Sequence, residues 1–320
     1  METTNQTVLV LGASGMSGGH VAEAFEAAGW EVRRFDRHTQ DMRRAAAGAE
    51  VIFNGLNPPN YEGWATAIPA ITRQVLAAAE SSGATVIVPG NVYVYARSGG
   101  AWSEESAHEP ETTKGAIRAE MEEAYRSAAE RGVQTLVLRA GDFFGDSVSG
   151  NWLDLVLLKG LASGSFTYPG RMDAEHSWAY VPDFARAAVA LAERRETLGY
   201  FEDIPFEGLT LTGEALRALV ENTTGPLKLK SVPWFAMRLA YPFWRLGREL
   251  LEMRYLWDAA HSLDGSKLRR LLPGFEMTPA EDALASIIRE LVPLAGQSHE
   301  TRAGETSANE RALAGGLERG

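Results

Sequence analysis

The sequence predicts an α/β protein: a doubly wound parallel sheet followed by a smaller, mostly helical C-terminal region. Three observations carry this. Short apolar runs alternate with longer amphipathic ones through residues 1–140. A glycine-rich turn joins the first run to the first helix. After residue 141 the pattern loosens into sequence rich in Gly, Ser and aromatics. Continuous apolar runs read as strands buried on both faces, and helices between them cover a parallel sheet.

The elements follow in order. Residues 8–11 (VLVL) form the first run, closed by Gly12. Residues 19–28 carry Val21, Ala24, Phe25 and Ala28 at helical spacing, and Gly29 stops them. Further strands are expected at 32–35, 51–53, 86–88 and 135–138, with helices over 65–80 and 116–130. Residues 178–181 and 183–193 read as one more strand and helix. From Pro205 onward the reading is mostly helical, with Pro breaks. This divides the chain into a nucleotide-binding unit (5–141 with 177–204), a substrate unit (142–176 with 205–292) and a polar tail (293–320) expected to be disordered.

The bulk properties narrow the function. With 45% hydrophobic and 23% charged residues in 320, the chain has an ordinary globular composition. A net charge of −11 disfavours a nucleic-acid partner. With 0 cysteines, disulfides, thiolate metal sites and cysteine nucleophiles are excluded. The six histidines show no metal-ligand spacing, so no metal is expected. The N-terminus lacks a secretory pattern and no stretch is long and apolar enough to span a bilayer, so a cytoplasmic protein is expected. A homodimer is compatible with all of this.

The most informative segment is Gly12-Ala-Ser14-Gly15-Met16-Ser17-Gly18. Gly12 permits a tight turn, Gly15 lets a pyrophosphate approach the backbone, and Gly18 lets the helix pack close to the strand. The free N–H groups of the first helical turn then favour phosphate. Asp36 ends the second strand 24 residues after Gly12, where a carboxylate accepts hydrogen bonds from ribose hydroxyls. The ligand expected is NAD. Arg37, with Arg33 or Arg34, leaves NADP open.

The G-x-x-G-x-x-G spacing resembles that of extended and atypical short-chain dehydrogenase/reductases, including the NAD-dependent epimerase/dehydratase group. Three further segments are similar in the right order. They are residues 48–56 (GAEVIFNGL), 138–145 (LRAGDFFG, like R-x-x-N-x-Y-G) and 178–185 (WAYVPDFA, like V-x-D-x-A). The resemblance spans residues 7–292 and implies a Rossmann-type fold. It also implies adenine contacts from Asp41 and Met42, and a small-residue turn at Gly55 and Leu56 beside the cofactor.

The family's catalytic set is a Ser or Thr with a Tyr and Lys spaced Y-x-x-x-K, and here the sequence departs from it. The resemblance puts Asn91 at the Ser/Thr position, Lys114 at the Tyr and Arg118 at the Lys. Arginine stays charged, so Arg118 can only position ribose or phosphate. Lys114 and Tyr95 are the candidates for proton transfer. Asp142 stands where the family often has an Asn facing a substrate diphosphate, which a carboxylate would repel. Arg171 is a candidate to offset it.

Residues 226–257 interleave tryptophans with Lys and Arg. Leu239, Phe243, Leu246, Leu250, Met253 and Trp257 form one helical stripe. It is read as packing on the core, with a membrane-surface helix or substrate lid as the rival. Three functions follow: hydride transfer on a small carbonyl or alcohol of unknown identity, sugar-nucleotide epimerisation or dehydration, and non-catalytic dinucleotide sensing.

Overall fold

A computed structural model describes residues 6–58, 63–235, 238 and 250–292. The chain runs β1 (Thr7–Leu11), α1 (Met16–Ala27), β2 (Glu31–Phe35), α2 (Met42–Ala45), β3 (Val51–Asn54), α3 (Trp64–Ser82), β4 (Thr85–Gly90), β5 (Gly100–Trp102), α4 (Thr113–Ala128) and β6 (Thr135–Arg139). It continues through β7 (Asp142–Phe144), β8 (Ser165–Tyr168), β9 (Glu175–Tyr180), α5 (Val181–Glu193), β10 (Phe201–Pro205), β11 (Leu209–Thr212) and α6 (Gly213–Thr224). The last elements are β12 (Lys228–Ser231), β13 (His261–Leu263), α7 (Ser266–Leu271) and α8 (Ala280–Leu291).

The six-stranded sheet has the order β2-β1-β3-β4-β6-β10 and every pairing in it is parallel. The order reverses at β1, so a crevice opens beyond the carboxyl ends of β1 and β3, where ligands of such sheets bind. One face is covered by α1, α5 and α7 through Val21, Phe25, Phe184, Ala188 and Leu268. The other is covered by α3 and α4 through Ile68, Val75, Met121 and Tyr125. The helices are needed because β1, β3 and β6 are buried along their whole length.

β2 ends the sheet on one side. Its Glu31 and Arg34 are exposed, Arg33 donates to Glu31 at 2.9 Å, and Arg34 donates to Glu26.

The second region departs from the mostly helical expectation. It contains a three-stranded sheet, β11-β9-β7, and a two-stranded one, β12-β8, while its β13 pairs with β5 of the first region. β9, assigned from the sequence to the nucleotide-binding unit, pairs instead with β7 and β11. α5 and β10 do join the large sheet. These strands have three to six residues, too few for a period of two to separate them from irregular chain. The core here comprises Leu153, Leu157, Phe166, Trp178, Trp257 and Leu284. The 293–320 tail and residues 239–249 of the aromatic-basic stripe lie outside the described residues. Of the stripe's other members, Met253 and Trp257 are buried, as a packing role requires. Among the described residues no helix is long and apolar enough to cross a membrane.

Candidate functional site

The glycine loop lies at the β1/β3 crevice. Gly12 has a φ of 77°, which an L side chain rarely adopts. A Cβ on Gly18 would sit 2.2 Å from the Gly12 carbonyl oxygen, so α1 approaches β1 as closely as only glycine allows. Gly15 is exposed and is the N-cap of α1, with no side chain hydrogen-bonded into the cap. The first-turn N–H groups are therefore left for an anion. Ser14 is exposed, and Met16 and Ser17 are partly buried. Gly55 backs against Gly12, with Gly55 C and O 2.9 Å from the Cβ position there.

Beside the loop lies a cavity of about 560 Å³ lined by Arg37, Asp41, Met42, Leu56, Ile71 and Arg73, among others. That size suits the adenosine end of a dinucleotide. Met42 is buried and Asp41 caps α2, accepting from Arg44 N–H at 3.0 Å. The Asp36 carboxylate closes the β2–α2 turn, accepting from His38 N–H at 2.9 Å and from the Thr39 hydroxyl at 2.8 Å. These bonds, the backbone one first, lower its pKa. A carboxylate offers about four lone-pair sites, so acceptors remain for a ribose. The residues present thus fit a dinucleotide, with pyrophosphate on α1 and adenosine against Asp41 and Met42.

The other end of the crevice is formed by the start of α4. Thr112 caps it, accepting from Gly115 N–H at 3.0 Å. A Cβ on Gly115 would fall 2.2 Å from the Tyr93 carbonyl oxygen, so the first turn of α4 is pressed onto the segment after β4. That contact places Lys114 and Arg118 on one helix face, four residues apart. Lys114 is buried. Its ammonium is ion-paired with Glu252, whose carboxylate also accepts the Lys114 N–H at 3.1 Å. Arg118 donates to Asn57 at 3.0 Å, just beyond Leu56, and lies over the Trp64 ring. Asn91 caps the short turn at 92–94, accepting from Tyr93 N–H at 3.0 Å. The structure thus brings Lys114, Arg118 and Asn91 together around one helix start.

Tyr95 is placed differently. Its ring stacks on Trp102 at 4.6 Å within a core cluster of Val92, Met253, Leu256 and Leu263, and its hydroxyl donates to the Ser103 carbonyl at 3.4 Å. Burial raises its pKa further above neutrality. Its location argues for a packing role rather than proton transfer.

Arg171 does not meet Asp142. It is exposed and forms a fork to Asp173 at 3.1 and 2.8 Å. A guanidinium in a surface turn takes the nearest carboxylate. The partner of Asp142 is His176 on β9, two residues before its register partner Trp178, with Nε2 2.9 Å from the carboxylate. His176 stacks on Trp257 at 4.3 Å and meets His261 edge-on at 4.6 Å.

Burial pushes His261 down to about 3, and the neighbouring His176 adds to this. The folded state therefore binds fewer protons than the unfolded chain between pH 3 and the unfolded value near 6.5. This stability is fully present above pH ~6.5 and is lost as pH falls through that window. Going from pH ~6.5 to ~4.5 should remove about 2–3 kcal/mol. Urea midpoints measured across that range test this: His261→Phe, which keeps a ring against Trp102, should flatten the decline. Parallel curves for the two proteins would show that His261 does not carry it.

Under the site lies a buried charge cluster. Arg139, fully buried at the end of β6, binds Glu122 of α4 and Asp203 of β10 at 2.6 Å each, and donates to the Asn91 carbonyl at 2.6 Å. Burial alone would lower its pKa, but the two carboxylates outweigh it and hold the guanidinium firmly charged. His108 lies 3.7 Å from Glu122 and 3.8 Å from Asp203. His108, Glu122 and Asp203 are close enough to share a metal ion, yet the Arg139 guanidinium already bridges the two carboxylates.

Sequence reading missed three of these residues. Arg139 stood inside a quoted motif without a role. His176 was set aside for lack of metal spacing. Glu252 lies in a segment whose sequence signal is its apolar stripe, tryptophans and basic residues.

Residues 64–203 match the model of the NAD dependent epimerase/dehydratase family. No curated protein matches the chain. Among solved structures, the chain is similar to a UDP-glucuronic acid 4-epimerase from Bacillus cereus in complex with NAD. Identity is 16%, coverage 89% of this chain and 98% of that one, and the TM-score 0.68. It is similar to MoeE5 in complex with UDP-glucose and NAD (15% identity, 89% and 98% coverage, TM-score 0.69). A third is a GalE-like L-threonine dehydrogenase from Cupriavidus necator in its apo form (17% identity, 90% and 99% coverage, TM-score 0.67). The match to the NAD dependent epimerase/dehydratase family thus rests on residues 64–203, and the solved structures share this chain's fold.

Proposed function

We propose that this chain is an NAD-dependent oxidoreductase that acts by hydride transfer on a small, uncharged carbonyl or alcohol. The observation that carries the reading is the buried Lys114 at the start of α4, one helical turn from Arg118. A bound nicotinamide supplies or accepts the hydride. Lys114 gives the proton to the substrate oxygen during reduction. Arg118 holds ribose or phosphate as a fixed charge. Asn91, anchored through the turn it caps, borders the same space.

The substrate side argues for a small neutral compound. Asp142 is paired with the buried His176, not with an arginine, and Arg171 is engaged elsewhere. A diphosphate facing Asp142 would meet a carboxylate without a strong fixed cation beside it. The sugar-nucleotide reading has its own support. UDP-sugar epimerases are among the similar structures, and the epimerase in complex with NAD aligns over nearly its whole length.

The test is calorimetric titration with NAD and NADP, then reduced-nicotinamide absorbance across a panel of carbonyl compounds. NAD should bind more tightly, through Asp36, and at least one carbonyl should be turned over. NADP binding much more tightly would mean that Arg37 and Arg73 dominate the adenosine end. A cofactor that co-purifies and is never released would favour the epimerase. Binding without any turnover would favour a sensor.

A further inference from the structure

Glu252 comes from far along the chain to reach the start of α4. It sits in the helical turn at 250–253, 138 residues from Lys114. Its carboxylate makes two bonds there: one oxygen accepts the Lys114 N–H, and the other takes the ammonium. The N–H belongs to the first turn of α4, where backbone donors have no helical partner and the helix dipole favours an anion. The carboxylate therefore has two independent reasons to stay where it is. Lys114 is buried, while the Glu252 side chain is 27% exposed, so the pair spans the distance from core to solvent.

Tyr255 follows Glu252 by three residues and lies under Arg97, 4.8 Å from the guanidinium carbon to the ring centre. Burial raises Tyr255 to about 12. Arg97 opposes the shift, and Glu111, Glu252 and Asp142 add to it.

We propose that Glu252 is the positioning residue of Lys114: by holding both its N–H and its ammonium, it fixes the direction in which the amine gives up its proton. The proposal rests on reading Lys114 as the proton donor. One proton leaves Nζ for the substrate oxygen, and the nitrogen keeps the electron pair. The neutral amine then regains a proton from solvent beside the half-exposed carboxylate. An amine on a four-carbon stem has many rotamers, and a donor misplaced by about 1 Å loses on the order of 10²-fold in rate. Lysine at this place therefore needs an anchor, and Glu252 supplies one.

The test compares the full chain with Glu252→Gln and Glu252→Asp by two readouts. The first is reductive methylation of Lys114 with formaldehyde and cyanoborohydride, followed by peptide mass spectrometry. The second is steady-state turnover with NADH and a carbonyl substrate from the panel. Glu252→Gln should speed methylation several-fold and lower kcat by about 10²-fold, with KM for NADH little changed. Glu252→Asp, which keeps the charge, should recover most of the rate. Unchanged methylation would overturn the proposal. So would unchanged kcat, or a loss confined to KM for NADH. If the unaltered chain reduces no carbonyl while methylation still responds to Glu252→Gln, the hydride-transfer reading fails and Glu252 still holds Lys114.

Discussion

Lys114→Met should lower turnover by about 10²–10⁴-fold, the range for losing a general acid or base. Methionine keeps most of the buried stem and removes only the amine. Glu252 still has the backbone N–H of residue 114 in the first turn of α4 to bind, so the helix start should hold. NAD affinity, measured by calorimetry, should change little, because the adenosine cavity and the glycine loop lie elsewhere in the crevice. Arg118→Met should behave in the opposite way, weakening cofactor binding through the lost charge near Asn57. Tyr95→Phe is the control. It deletes a hydroxyl whose hydrogen bond among the described residues is a long 3.4 Å contact. Full activity in Lys114→Met together with loss in Tyr95→Phe would move the proton to the phenol.

Arg139→Met should destabilise the fold by about 3–5 kcal/mol, measured by urea unfolding. The guanidinium carries hydrogen bonds to Glu122, Asp203 and the Asn91 carbonyl in a buried site. Removing it leaves two carboxylates facing each other away from water, and breaking a buried pair on one side costs far more than the pair contributes in total. Total stabilities of about 5–15 kcal/mol make such a loss visible as poor accumulation of folded protein. Adding Glu122→Gln and Asp203→Asn to Arg139→Met should recover part of the loss, because neutral amides carry less desolvation cost than stranded carboxylates. A loss under ~1 kcal/mol for the single variant would show that His108 or solvent compensates the acids.

The nucleotide half was legible because its signals are local. β1 and β6 are continuous apolar runs, and Gly12, Gly15 and Gly18 each meet a steric demand that a few neighbouring residues impose. The resemblance paired Lys114 with Arg118, and the structure puts both on α4, which begins at Thr113, three residues before the expected start. The substrate half was not. β7, β9 and β11 pair across gaps of more than thirty residues, so which sheet a strand joins is decided by remote partners. The same holds for Asp142. Nothing next to it in sequence names His176, and the nearer-looking Arg171 is held by Asp173. Glu252 was hidden for a further reason: a glutamate on the polar side of an amphipathic stripe looks like a solvated residue until the fold closes around it.

The charges on β2 also bear on how this molecule meets its own copies. A strand at the margin of a sheet offers unpaired N–H and C=O groups to any passing strand, and a flat apolar margin invites fibrils. Here the margin carries Glu31, Arg33 and Arg34, with the two arginines bonded to Glu31 and Glu26. A second molecule adding its own β2 in parallel register would bring like charges face to face and would have to break those pairs. The sheet is thereby discouraged from continuing into a neighbour across β2.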